Sequence, residues 1–137
     1  MAKERRQLLR LGAMYLFVAT LLGIVLAAGA ANPVLWRATH VTTILVGLTL
    51  IGQGLVWTEL RLSDRQRHAA FVMSRISAGS ILILGMANAI LNVPGPATAP
   101  GVAPQGIQVV LIIAVVLTTV PTAIGSTFLV WRGLGGD

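Results

Sequence analysis

The chain is predicted to be an all-α membrane protein, a four-helix transmembrane bundle with both termini cytoplasmic. Three observations predict it. Hydrophobic residues make up 55% of the 137 residues and charged residues only 10%, with a mean hydropathy of +0.85; soluble domains are nearer a quarter charged. Four stretches lack Asp, Glu, Lys and Arg: Leu11 to Ala31, Ala38 to Thr58, Ile76 to Val93 and Ile107 to Trp131. Each is close to or above the roughly 20 residues that cross a hydrocarbon core. Finally, nine of the ten basic residues fall on one side of the resulting topology, which is the positive-inside pattern.

With these spans in place, little of the chain is left for a soluble domain, so residues 1–137 read as one membrane domain. Helices are expected over about 8–31, 38–60, 69–93 and 107–131. The first follows Lys3, Arg5 and Arg6 and ends in Ala28-Gly29-Ala30, which resembles a signal peptide. Its apolar run exceeds the usual 7–15 residues, so a retained first helix is expected. The second opens near Trp36 and closes before Arg61, Arg65 and Arg67. The third follows Arg75, which could pair with Glu59 at the adjoining helix end. The fourth contains Pro121, which predicts a mid-membrane kink, with Thr118, Thr119 and Thr122 available to bond the carbonyls freed there. Between the third and fourth lies the Pro/Gly-rich segment 94–106, read as a linker or as an extended lid. The termini and the 2–3 loop face the cytoplasm, so the expected location is the inner (cytoplasmic) membrane, multi-pass.

Several function classes drop out. Without cysteine there is no disulfide scaffold, thiolate nucleophile, iron–sulfur cluster or thioether-linked haem. Four acidic residues leave little for a carboxylate-rich metal site. The net charge of +6 records topology on so apolar a chain, and no nucleic-acid partner is expected.

Polar residues inside a membrane carry the information because they cost free energy there. At the outer level stand Asn32, Thr39, His40, Asn88 and Asn92. His40, Gly47 and Gly54 share one helix face, which reads either as a packing surface or as a flat groove beneath an imidazole. Gly85, Asn88 and Asn92 share another. His40 is the one strong ligand or base at that level, since His68 lies on the basic side.

Trp36-Arg37-Ala38-Thr39-His40 followed by Gly47 resembles the start of helix 2 in styrene oxide isomerase. The wider pattern is similar to the hydroxylaminobenzene mutase family, through Leu8-Leu9-Arg10-Leu11-Gly12, Leu21-Leu22-Gly23, Ala31-Asn32-Pro33, Thr39-His40, Ala87-Asn88 and Trp131-Arg132-Gly133-Leu134. The resemblance covers essentially the whole chain, carried by the order and spacing of short motifs. It implies a redox-neutral isomerase of small apolar aromatics, taking an aryl epoxide to an aldehyde or hydroxylaminobenzene to an aminophenol. It further implies haem b, with His40 as axial ligand, Trp36 and Gly47 beside the cofactor, and Asn88 and Asn92 orienting substrate. Two positions depart from the pattern. Val46 stands where both families have asparagine, and Asn92 where the isomerase has tyrosine. A homo-oligomer is expected, because so short a chain buries little around a cofactor. The alternatives are a non-catalytic haem-binding or electron-transfer membrane protein and a small transporter.

Overall fold

Four helical rods build the computed structural model, which describes residues 2–30, 32–90 and 106–135. They are α1 (Ala2–Ala27), α2 (Pro33–Val56), α3 (Asp64–Ile90) and a fourth rod. The fourth runs without interruption through α4 (Ile107–Ala114), a π turn (Val115–Thr119) and α5 (Val120–Gly135). No strand occurs among the described residues. Three helices, α1, α2 and α3, are long and apolar enough to cross a membrane.

The helices start earlier than the charge-free stretches suggest. α1 begins at Ala2, since Lys3, Glu4, Arg5, Arg6 and Gln7 are good helix formers with no breaker among them. It ends before Gly29, whose φ of +90° suits a residue without Cβ. α2 begins at Pro33 because Asn32 caps it, its side chain accepting from the Leu35 amide at 3.3 Å. α3 begins at Asp64 behind a capping box: the Ser63 amide donates to Gln66 Oε1 at 3.1 Å and the Gln66 amide to Ser63 Oγ at 3.4 Å. Loss of charge marks the edge of the hydrocarbon. The helix continues beyond it wherever propensity and caps allow.

α1 and α2 form the closest pair, and glycine makes it possible. A Cβ on Gly12 would lie 2.7 Å from the Gly47 carbonyl oxygen, and one on Gly54 would lie 2.9 Å from the Leu9 side chain. The Gly47 and Gly54 face is therefore filled by α1. This is the packing reading of that stripe, and it leaves no open groove below His40 within one chain.

The core concentrates at the end that carries the basic residues. There Leu8, Trp57, Leu60, Phe71 and Ala70 are buried together, with Trp57 edge-on to Phe71 at 6.3 Å between ring centroids. The Trp57 indole N–H donates to Glu4 Oε2 at 3.3 Å, which satisfies the one polar atom of a fully buried ring. The buried Arg67 donates to the Leu60 carbonyl at 2.9 Å, and the Arg61 amide donates to Gly133 O at 2.9 Å, tying the 57–63 turn to α3 and α5. Large apolar side chains such as Phe17, Ile24, Ile83 and Leu117 point outward, as lipid contact requires.

Two local expectations are corrected. Arg75 does not pair with Glu59. Its guanidinium lies over the Phe71 ring at 5.4 Å, while the Glu59 carboxylate accepts from the Thr58 hydroxyl at 3.3 Å. At Pro121 the irregularity takes the form of the π turn just before it, which absorbs the missing N–H. The Thr118 hydroxyl donates to Ala114 O and the Thr122 hydroxyl to Thr118 O, whereas the buried Thr119 hydroxyl has no partner. The segment 94–105 lies outside the described residues.

Candidate functional site

His40 stands two turns into α2, after Pro33 and the Asn32 cap have set the start of the helix. Its imidazole turns toward α1. Nδ1 lies 2.8 Å from the Ala19 carbonyl oxygen. A carbonyl only accepts, so Nδ1 carries the proton, and in that neutral tautomer the lone pair is at Nε2. Nε2 makes no hydrogen bond among the described residues. This is the arrangement in which metal-binding histidines are commonly held, with one nitrogen tied to a backbone oxygen and the other free to ligate.

Room for the ring comes from Gly23, where a Cβ would sit 3.1 Å from His40 Cε1. Neither partner was evident in the sequence. Ala19 contributes only a carbonyl, which no motif reveals; Gly23 belongs to the Leu21-Leu22-Gly23 motif, but its role depends on which face α1 turns to α2.

The neighbouring residue faces the other way. Thr39 is buried, and its hydroxyl lies 3.0 Å from Leu35 O and 3.1 Å from Gly85 O, joining α2 to α3. Gly85 admits it, since a Cβ there would meet Thr39 Cγ2 at 3.2 Å. Asn88 lies one turn beyond Gly85 on α3, half-buried, and makes no hydrogen bond among the described residues. Asn88 thus lies about one turn beyond the Thr39–Gly85 contact, on the α3 side of α2. No hydrogen bond links it to His40. Trp36, half-buried, lies one turn before His40 on α2. Gly47 serves the α1 contact beneath the imidazole. Asn92 lies outside the described residues.

The donor set narrows what could be held here. Among the described residues no group of three His, Cys, Asp or Glu could hold a bare metal ion. A metal that brings its own equatorial ligands needs only one protein nitrogen, and His40 Nε2 fits that requirement.

A family model described as styrene oxide isomerase matches residues 4–135. No curated protein and no solved structure matches the chain.

Proposed function

The chain belongs to the styrene oxide isomerase family, and from that premise we propose a membrane isomerase that rearranges small neutral aromatics at haem b held by His40. Membership implies isomerase activity, and the apolar helices make the protein a multi-pass membrane protein. The observation that carries the cofactor reading is the Nδ1–Ala19 bond, which leaves Nε2 as the free donor.

The favoured reaction takes an aryl epoxide to an aldehyde. The benzylic C–O bond breaks, a hydrogen migrates to the benzylic carbon, and the carbonyl forms, so no co-reactant is consumed. Hydroxylaminobenzene, which would pass its hydroxyl from nitrogen to the ring, is the second candidate substrate. When bound, ferric haem would supply a Lewis acid. His40 Nε2 would hold the iron, and the Ala19 carbonyl fixes the tautomer and raises the basicity of the ring. Trp36 flanks the ligand. Asn88, with a free side-chain amide, and Asn92 donate to the substrate oxygen. Val46, apolar where the family has an amide, shifts that duty onto α3.

The fourth rod crosses the bilayer like the other three, with both termini cytoplasmic and the cytoplasmic membrane as the site. Lipid delivers the apolar substrate. A homo-oligomer belongs to the same reading, because so short a chain buries little around a cofactor.

The test is an absorption spectrum of detergent-purified protein beside His40→Ala, with both assayed on styrene oxide. A Soret band in the wild type that is lost or shifted in the variant, together with loss of aldehyde formation, is expected. A wild type with no Soret band after haem is supplied would overturn the cofactor reading.

A further inference from the structure

A second polar cluster lies away from His40. Between α2, α3 and α5 lies a half-open cavity of about 230 Å³. On α2 its wall runs through Val46, Thr49, Leu50 and Gln53. At 3.6 residues per turn that face lies roughly 120° around the helix from His40, and Gln53 is about 20 Å further along it.

The lining has a direction. Toward the basic end it is polar, with Gln53, Ser74, Ser77 and Ser126, all buried. Toward the other end it is apolar, with Val46, Ile81 and Ala123. No charged residue lines it.

The polar end is not satisfied by the protein. Ser74 Oγ lies 2.8 Å from Gln53 Oε1 and 2.9 Å from Ala70 O, with one proton to share. However that proton is placed, at least one amide hydrogen of Gln53 is left without a protein acceptor. The Ser77 hydroxyl makes no hydrogen bond among the described residues either, although most threonines of α2 bond back to their own helix. Gln53 is 8% and Ser77 7% exposed. Both residues line the cavity, so their free donors open onto it and can bond to whatever fills it.

We propose that this cavity is a binding site, distinct from His40, for a small neutral molecule with a hydrogen-bond-accepting oxygen on an apolar body. The oxygen sits against Gln53 and Ser77, and the body points toward Val46 and Ala123. The uncharged lining excludes ions, because nothing there offsets their desolvation. The volume, below the roughly 300–1,000 Å³ of pockets for drug-sized ligands, limits the body to about one ring. Choosing an aromatic ring rests on the isomerase reading; the site itself does not. A neutral aromatic carbonyl compound in this place is the aldehyde product, held at the opposite depth of the bilayer from the reacting centre.

The probe is 4-fluoroacetophenone, followed by ¹⁹F NMR on the purified protein in detergent, with fluorobenzene as the analogue lacking the acceptor. A saturable, protein-dependent shift is expected for the ketone. Gln53→Leu should weaken it about fivefold to tenfold, as loss of one buried hydrogen bond does, and Ala123→Phe should abolish it by filling the cavity. Ser74 keeps its Ala70 acceptor in Gln53→Leu, so that variant should fold, which circular dichroism checks. His40→Ala should leave the shift unchanged. Failure of the haem reading would appear in the Soret spectrum and not here. Three results would overturn the proposal: no saturable shift, meaning the cavity holds water alone; equal shifts in wild type, Gln53→Leu and Ala123→Phe, meaning partition into the micelle; or fluorobenzene binding as tightly as the ketone.

Discussion

A single missing side chain decides how His40 is held. Gly23 leaves space for the imidazole, and the Ala19 carbonyl then fixes which nitrogen carries the proton. A methyl group at Gly23 would approach Cε1 to 3.1 Å, tighter than most real contacts. The ring would have to give by a few tenths of an ångström, enough to lengthen the Nδ1 hydrogen bond. Partners that orient a metal-ligating histidine typically contribute about 10–100-fold in affinity or activity. On the proposed haem reading, Gly23→Ala is therefore expected to weaken haem retention about tenfold, towards the low end of that range. Haem titration followed at the Soret band measures it, and thermal melting should show the variant still folded. The same scale explains why Thr39 and His40, adjacent in sequence, do unrelated work: about 100° of helical rotation sends one to α3 and the other to α1.

At the scale of the helix, glycine has two meanings that position alone does not separate. Gly12 is pressed against α2, where a Cβ would meet Gly47 O at 2.7 Å and Ile51 Cγ1 at 2.6 Å. Gly52 lies on the same pair of helices with nothing within 4 Å of its Cβ position. Gly12→Ala should destabilise the α1–α2 pair by about 1–3 kcal/mol, the usual cost of overpacking. Gly52→Ala should be neutral or stabilise by up to about 1 kcal/mol through helix propensity. Paired thermal melts in one detergent give the sign of each. Opposite signs are the expected result, and equal destabilisation would contradict the close contact at Gly12. Pro121 teaches a related lesson. Its sequence position signalled a kink in the fourth rod, and a π turn just before it, with the Thr118 and Thr122 hydroxyls bonding back to the helix, is the irregularity found there.

For the whole molecule, the proposed topology makes a prediction that the absence of cysteine renders clean. A single cysteine introduced at Val34, which is 55% exposed just inside α2, should react with a membrane-impermeant maleimide on intact cells. One introduced at Ser63, in the turn before α3, should react only after lysis. The reverse pattern would invert the bundle and put the His40 level on the cytoplasmic side. The basic end is also where the core closes, through Trp57, Phe71 and the Arg67 and Arg61 bonds.

How much could be read in advance follows from the kind of energy involved. Transfer of a side chain into hydrocarbon is nearly a one-residue property. The helical class and three of the four expected apolar spans were therefore legible along the chain. The caps at Asn32 and Ser63 were legible too in principle, but reading spans by charge alone placed the helix starts too late. Packing is a property of pairs. Whether Gly47 opens a groove or receives α1, whether Arg75 meets Glu59 or Phe71, and which carbonyl takes the His40 proton all depend on helix rotation, which composition does not encode. Gln53 was visible as an amide within an uncharged run. That it shares a cavity with Ser74 and Ser77, with a donor left over, emerges only when three helices converge, because an unsatisfied hydrogen bond exists only relative to its neighbours.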